Sequence, residues 1–236
     1  MRLEVDIRSK SYTSANGKRQ EVIAGIAFAL QRDEVGVVVG PSGCGKSTML
    51  RILAGLDSDY QGEVSRPEEA RLAMVFQEPR LLPWRSVEEN VRLAAPEVAE
   101  DRLAAIFGVL ELEGHRSHFP GELSLGLARR VALARAFAVE PDFLILDEPL
   151  ASLDDALAAR LREEIAMLVA NRPMITLLVT HSMDDAVRLG DRIFVLSPRP
   201  ARLLHTVPID APRAQRSNDL VVKIKADLAR LDFSVS

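Results

Sequence analysis

At 236 residues, with 47% hydrophobic side chains and 30 basic against 34 acidic residues, the chain can fill and bury a substantial core, which excludes disorder. Its formal net charge of -4 lacks the basic excess behind non-specific nucleic-acid affinity, so no nucleic-acid partner is expected. The single Cys44 excludes an internal disulfide, Met1 to Lys10 does not read as a secretion signal, and no apolar run reaches the membrane-helix length of about 20 residues.

In chain order, Leu3, Val5 and Ile7 alternate with charged residues, and Ile26, Phe28 and Leu30 alternate on the far side of a polar Asn16-Gly17 turn. This predicts an antiparallel sheet near the N-terminus. Short apolar runs then predict buried strands at Val35 to Val39, Leu72 to Phe76, Phe143 to Leu146, Met174 to Val179 and Ile193 to Leu196. Between the Phe143 to Leu146 and Met174 to Val179 runs lies a helix over about Asp155 to Ala170, where Leu157, Leu161, Ile165 and Leu168 form one stripe. Strand-helix alternation of this kind implies an α/β fold with a largely parallel sheet. The stretch from about 78 to 140 breaks the alternation with helical segments and no clear strand, and predicts an inserted helical subdomain. Ser197 to Arg202 reads as a turn, followed by a short C-terminal extension over about 200–236 within a single domain.

Two motifs carry chemistry. Gly40-Pro41-Ser42-Gly43-Cys44-Gly45-Lys46-Ser47 fits the phosphate-loop pattern between the Val35 to Val39 strand and a helix containing Thr48 to Leu53. Its glycines let successive N–H groups turn toward phosphate oxygens, the helix start adds partial positive charge, Lys46 reaches the outer phosphates, and Ser47 suits Mg²⁺. Thr48, in the first turn of that helix, is counted with the nucleotide-binding residues, and ATP with Mg²⁺ is the expected cofactor pair. Phe143 to Glu148 is an apolar strand ending in two carboxylates. Asp147 suits the Mg²⁺ shell, and Glu148 suits orientation or deprotonation of an attacking water.

Further residues narrow the field. Tyr12, Gln77 after the strand ending at Phe76, Leu123-Ser124-Leu125-Gly126-Leu127 upstream of the acidic strand, Ala151-Ser152-Leu153-Asp154 after it, and His181 at the end of the Met174 to Thr180 strand occur in that order. Read singly, each has a plainer role: packing for Tyr12, a loop cap for Gln77, a helix N-cap for Asp154, a polar strand end for His181. Together, and with Arg130 to Ala136 following the signature segment, they resemble the ATPase subunits of ABC transporters along nearly the whole chain. The resemblance is imperfect where Leu125 and Leu127 replace residues of the usual LSGGQ signature. Gln77-Glu78-Pro79-Arg80-Leu81-Leu82-Pro83-Trp84 resembles, more narrowly, the ATPases of the nitrate, sulfonate and taurine importers.

The resemblance implies a P-loop core with an antiparallel N-terminal subdomain, and a homodimer enclosing MgATP. Tyr12 would stack on adenine, and Gln77, Glu148 and His181 would act in hydrolysis, with Gln77 also beside Mg²⁺. Ser124 and Gly126 would reach the opposite subunit's terminal phosphate. The expected partners are membrane-spanning permease subunits and, indirectly, a solute-binding protein, which places the chain peripherally on the cytoplasmic face of the membrane. The alternatives are a non-transport ABC ATPase, disfavoured by the short stretch between Lys46 and Ser124, and a regulatory subunit with little turnover. Leu125 is expected to pack against the helical subdomain, and Trp84 either anchors an interface or sits in the core.

Overall fold

The alternating sequence of the first strand becomes alternating burial. Along β1 (Arg2–Thr13), Leu3, Val5 and Ile7 face inward while Arg2, Glu4 and Asp6 face solvent. The computed structural model describes residues 2–14, 16–67, 69–228 and 230. They form two units, Met1–Glu69 with Ile175–Ser236, and Ala70–Met174; Met1 and residues 231–236 of the expected extension lie outside the described residues.

In the first unit, β1 pairs antiparallel with β2 (Arg19–Ile23), β3 (Ile26–Gln31) and β5 (Gln61–Ser65). The Asn16-Gly17 turn lies where its sequence predicts, but it leads from β1 into β2, a strand absent from the predicted pair, before the chain reaches β3. Strand β5 escapes sequence reading because its residues are only exposed or half-buried, so it has no apolar alternation to display. A register irregularity against β5 between Ile7 and Ser9 interrupts the alternation of β1. Beyond it, Lys10 is the residue that turns inward.

The same unit holds β4 (Val35–Val39), β8 (Ile175–Val179) and β9 (Arg192–Leu196), with β4 parallel to both others. All five residues of β4 and all five of β8 are buried, which is why they appear in the sequence as unbroken apolar runs. The Phe28 and Phe194 rings stack with centroids 4.3 Å apart, joining β3 to β9. Helix α1 (Lys46–Leu53) follows β4, and α6 (Met183–Leu189) lies between β8 and β9.

The stretch expected to be an extension contains regular structure. Leu203–Pro208 forms β10, antiparallel to β9, and Asn218–Leu228 forms α7. The Arg216 side chain fastens this segment, donating to the carbonyls of Val187 at 2.7 Å and Gly190 at 2.6 Å at the end of α6, where helix carbonyls lack internal partners. A single arginine in a polar stretch gives no periodic signal, so this anchor is invisible to pattern reading.

The second unit contains the parallel pair β6 (Leu72–Val75) and β7 (Phe143–Asp147). Between them lie α2 (Val87–Ala94), α3 (Glu100–Val109) and α4 (Leu125–Ala138), and among the described residues 78–140 there is no strand. Helix α5 (Asp155–Ala170) follows, over the range its apolar stripe predicts. Ser86 and Glu89 cap α2 reciprocally, and Asp154 caps α5 by accepting from the Leu157 N–H at 3.0 Å. Arg130 of α4 donates to both carboxylate oxygens of Glu164 on α5, at 2.6 and 3.1 Å, and approaches Glu111 at 2.9 Å. This buried pair sets α4 against α5 at fixed register.

Candidate functional site

The residues predicted to act divide between the units. Tyr12, Gly40 to Thr48 and His181 belong to the first, while Gln77, Ser124, Gly126, Asp147 and Glu148 belong to the second.

The loop after β4 turns at Gly43 and Gly45, whose φ angles are 73° and 137°. Gly45 has a second constraint: a Cβ there would meet the Val22 carbonyl oxygen at 3.1 Å, so the loop backbone lies close against β2. Lys46 curls over its own loop, donating to the Gly40 carbonyl at 2.7 Å and the Pro41 carbonyl at 3.0 Å. Its ammonium is thereby set inside the ring of loop backbone. Pro41, Ser42, Gly43 and Ser47 are exposed, Thr48 is half-buried, and the first turn of α1 contains no acidic residue. The partial positive charge of that helix start is therefore not neutralised locally, which suits a bound anion. Cys44 is buried and acts as a small packing residue. Arg199 donates to the Gly43 carbonyl, an anchor from beyond β9 that no motif reveals.

Tyr12 is 39% exposed and its hydroxyl donates to Asp57 Oδ2 at 2.9 Å. His181 follows β8 and is exposed, next to Ser182, whose side chain caps α6.

In the second unit, β7 ends at Asp147, and Asp147 and Glu148 are half-buried. Glu148 adopts φ 47°, a left-handed conformation uncommon for a non-glycine residue. Behind it, the buried Arg129 donates to the Pro149 carbonyl at 3.2 Å. Burial pushes the Arg129 guanidinium below its ordinary value, opposed by the attraction of Glu148. Nothing in the sequence pattern separates Arg129 from the neighbouring Arg130.

The segment from Gln77 to Trp84 is held at several points. Arg135 of α4 donates to the Pro79 carbonyl at 2.8 Å and the Arg80 carbonyl at 3.0 Å, and the Arg80 guanidinium lies 4.0 Å from the centroid of the Phe76 ring. Asn90 of α2 is fully buried. Its amide receives the Leu82 N–H and donates to the carbonyls of Leu82, Arg85 and Ser86. Trp84, held by this turn, is 68% exposed, which rules out the core alternative.

The signature segment corrects one expectation and refines another. Ser124 caps α4, accepting from the Leu127 N–H at 3.2 Å. Leu125, the first residue of α4, is 47% exposed rather than packed, because the first turn directs it off the face that α4 presents to α5. Gly126 is the residue that faces α5: a Cβ there would come within 2.6 Å of Leu157 Cδ2. A side chain at this position would therefore have to displace the end of Leu157.

Among the described residues, no helix is long and apolar enough to cross a membrane. Ser47 in the first unit carries a hydroxyl, and Gln77 and Asp147 in the second carry side-chain oxygens, the donor type that Mg²⁺ prefers. Among proteins of known role, the chain is 39% identical over 208 residues to an aliphatic sulfonates import ATP-binding protein of Pseudomonas syringae pv. syringae, with 87% of each chain covered. It is 35% identical over 222 residues to the protein of that name in Bacillus licheniformis, with 90% of this chain and 86% of that one covered. A solved ATP-binding subunit of an ABC transporter superposes with a TM-score of 0.77 at 27% identity, covering 98% of this chain and 100% of that one. A bacterial ABC transporter cassette solved as a dimer gives 0.76 at 24% identity, covering 90% and 100%, which supports the fold. The ABC transporter family profile matches residues 23–151. The chain belongs to the ABC transporter family and is one of its ATP-binding subunits.

Proposed function

We propose that this subunit hydrolyses MgATP as a homodimer to drive import of a small organic anion of the aliphatic sulfonate class, beneath a membrane-spanning permease on the cytoplasmic face. The observation that carries the nucleotide part is the phosphate loop, where Lys46 is held over backbone turned by Gly43 and Gly45. The cargo rests on the relatives, which are aliphatic sulfonate import proteins, and on the Gln77 to Trp84 segment. A solute-binding protein would supply the anion to the permease from the other side.

In this reading Lys46 and the N–H groups of the Gly40 to Thr48 loop other than Pro41 neutralise and orient the phosphates, and Tyr12 stacks on the base. Ser47, Asp147 and Gln77 would hold Mg²⁺, which when bound neutralises phosphate charge. Glu148 orients the attacking water and receives its proton, and His181 hydrogen-bonds the terminal phosphate. The partner's Ser124 and Gly126 complete each site, so closure of the dimer excludes water and assembles the hydrolytic geometry. Gln77, continuous with a segment braced by Arg135 and Asn90, relays nucleotide state toward the permease through the exposed Trp84.

The test is reconstitution with the co-purifying permease and solute-binding protein in vesicles. ATP hydrolysis should rise when an alkanesulfonate is supplied and stay at its basal rate with a neutral amino acid. Stimulation by an unrelated solute and none by sulfonates would remove the cargo assignment while leaving the ATPase assignment intact.

A further inference from the structure

Lys10 is a buried charge that the mechanism above does not use. It is 3% exposed, on a strand where other charged side chains face solvent. Its ammonium donates to Asp57 Oδ1 at 2.8 Å and to the Asp59 carbonyl at 2.5 Å, with Asp59 Oδ2 at 3.4 Å. Lys10 and Tyr12 lie two residues apart in β1 and share a face. The ammonium accordingly sits 4.6 Å from the Tyr12 ring centroid, within range of a cation–π contact. Asp57 closes the arrangement, since its second carboxylate oxygen accepts from the Tyr12 hydroxyl at 2.9 Å.

Tyr12 is therefore fixed twice, by a cation against one face and a carboxylate at its hydroxyl. Lys10 is itself covered and Tyr12 is partly exposed, so the ring face away from the ammonium is the one on which a flat base would stack. Asp57 belongs to the turn just after α1, the helix that Lys46 begins. One short segment thus carries the phosphate loop at one end and the tyrosine clamp at the other, over a helix of about 12 Å.

We infer that Lys10 and Asp57 are positioning residues that hold the Tyr12 ring in its base-stacking orientation and register it against the phosphate loop. This inference rests on the reading of Tyr12 as the adenine contact. A clamped ring loses less side-chain freedom when the base arrives, an advantage of about 2- to 10-fold in affinity. The advantage applies to the base and not to the phosphates.

Binding to the full chain would be measured for MgATP and for magnesium tripolyphosphate, which has phosphates and no base. Lys10→Met, Asp57→Asn and the milder Tyr12→Phe, which keeps the ring and loses only the hydroxyl, should each weaken ATP binding by about 2- to 10-fold. Tripolyphosphate binding should not change. In a Tyr12→Leu background, Lys10→Met and Asp57→Asn should have no further effect on ATP. Equal weakening for tripolyphosphate, or undiminished effects in the Tyr12→Leu background, would overturn the positioning role. If Tyr12→Leu weakens ATP binding and none of the other variants does, this inference alone fails. If Tyr12→Leu leaves ATP binding unchanged, the stacking role of Tyr12 fails and takes the inference with it.

Discussion

Gly126→Val puts carbon where α4 has no room for it. A Cβ at position 126 would lie 2.6 Å from Leu157 Cδ2 and 3.5 Å from Leu157 Cγ and Cδ1, against an ordinary carbon–carbon separation of about 3.5–4.0 Å. A single methyl can be absorbed by rotating the end of Leu157, which is only half-buried. The two further methyls of valine crowd the same spot, while Arg130 and Glu164 hold α4 and α5 in register. Overpacking of this kind costs about 3 kcal/mol, the upper part of its usual range. In a chain of this size that is a fall in Tm of about 6–12 °C. Thermal unfolding followed by circular dichroism reads it directly. Leu157→Ala should relieve the strain, bringing the double variant to within about 1 kcal/mol of Leu157→Ala alone. A Gly126→Val chain as stable as wild type, or a loss that Leu157→Ala does not relieve, would refute the packing argument. The close approach to Leu157 would then place no demand on the residue at position 126.

Lys46→Ala removes the charge held over the phosphate loop and should abolish tight MgATP binding, as read by equilibrium dialysis; retained tight binding would show that the loop N–H groups suffice. The isolated chain, with Trp84 as its single tryptophan, should fluoresce as a solvent-exposed indole and shift to the blue on docking to the permease; docking without a shift would place the contact elsewhere. Burial on its own would raise the Asp57 carboxyl, but hydrogen bonds from Lys10 and Tyr12 outweigh this and hold it below its ordinary 3.8. Its folded value lies below its unfolded one, so the stabilisation is complete above that unfolded value and is lost as pH falls through the folded one. The stability gap between wild type and Asp57→Asn should therefore be constant from about pH 8 to 5 and narrow below about pH 4; a gap independent of pH would mean that the carboxylate charge contributes nothing.

What the sequence made legible follows from how each element earns its order. Strands β4 and β8 are wholly buried, and α5 carries one apolar stripe between a capping aspartate and its last alanine, so hydrophobic period alone locates them. The phosphate loop was legible because its chemistry demands particular residues at fixed spacing. Strands β5 and β10 were not, since both present only exposed or half-buried residues and owe their conformation to a neighbour already in place. Leu125 misled because hydrophobicity predicts burial only on average, and a helix's first turn can direct a leucine outward. Lys10, Arg129 and Asn90 are single polar residues whose partners lie far along the chain or in irregular turns. No periodicity records such pairings, and they emerge only once the chain is folded.

In the proposed cycle, two copies of this chain close around MgATP and reopen when Glu148 completes hydrolysis. Sedimentation velocity of the Glu148→Gln chain, with MgATP binding verified in the same sample, tests it most directly. The expected result is a monomer without nucleotide and a stable dimer with MgATP, since bound nucleotide that is not hydrolysed keeps the interface closed. A chain that binds MgATP and remains monomeric at micromolar concentration would contradict it.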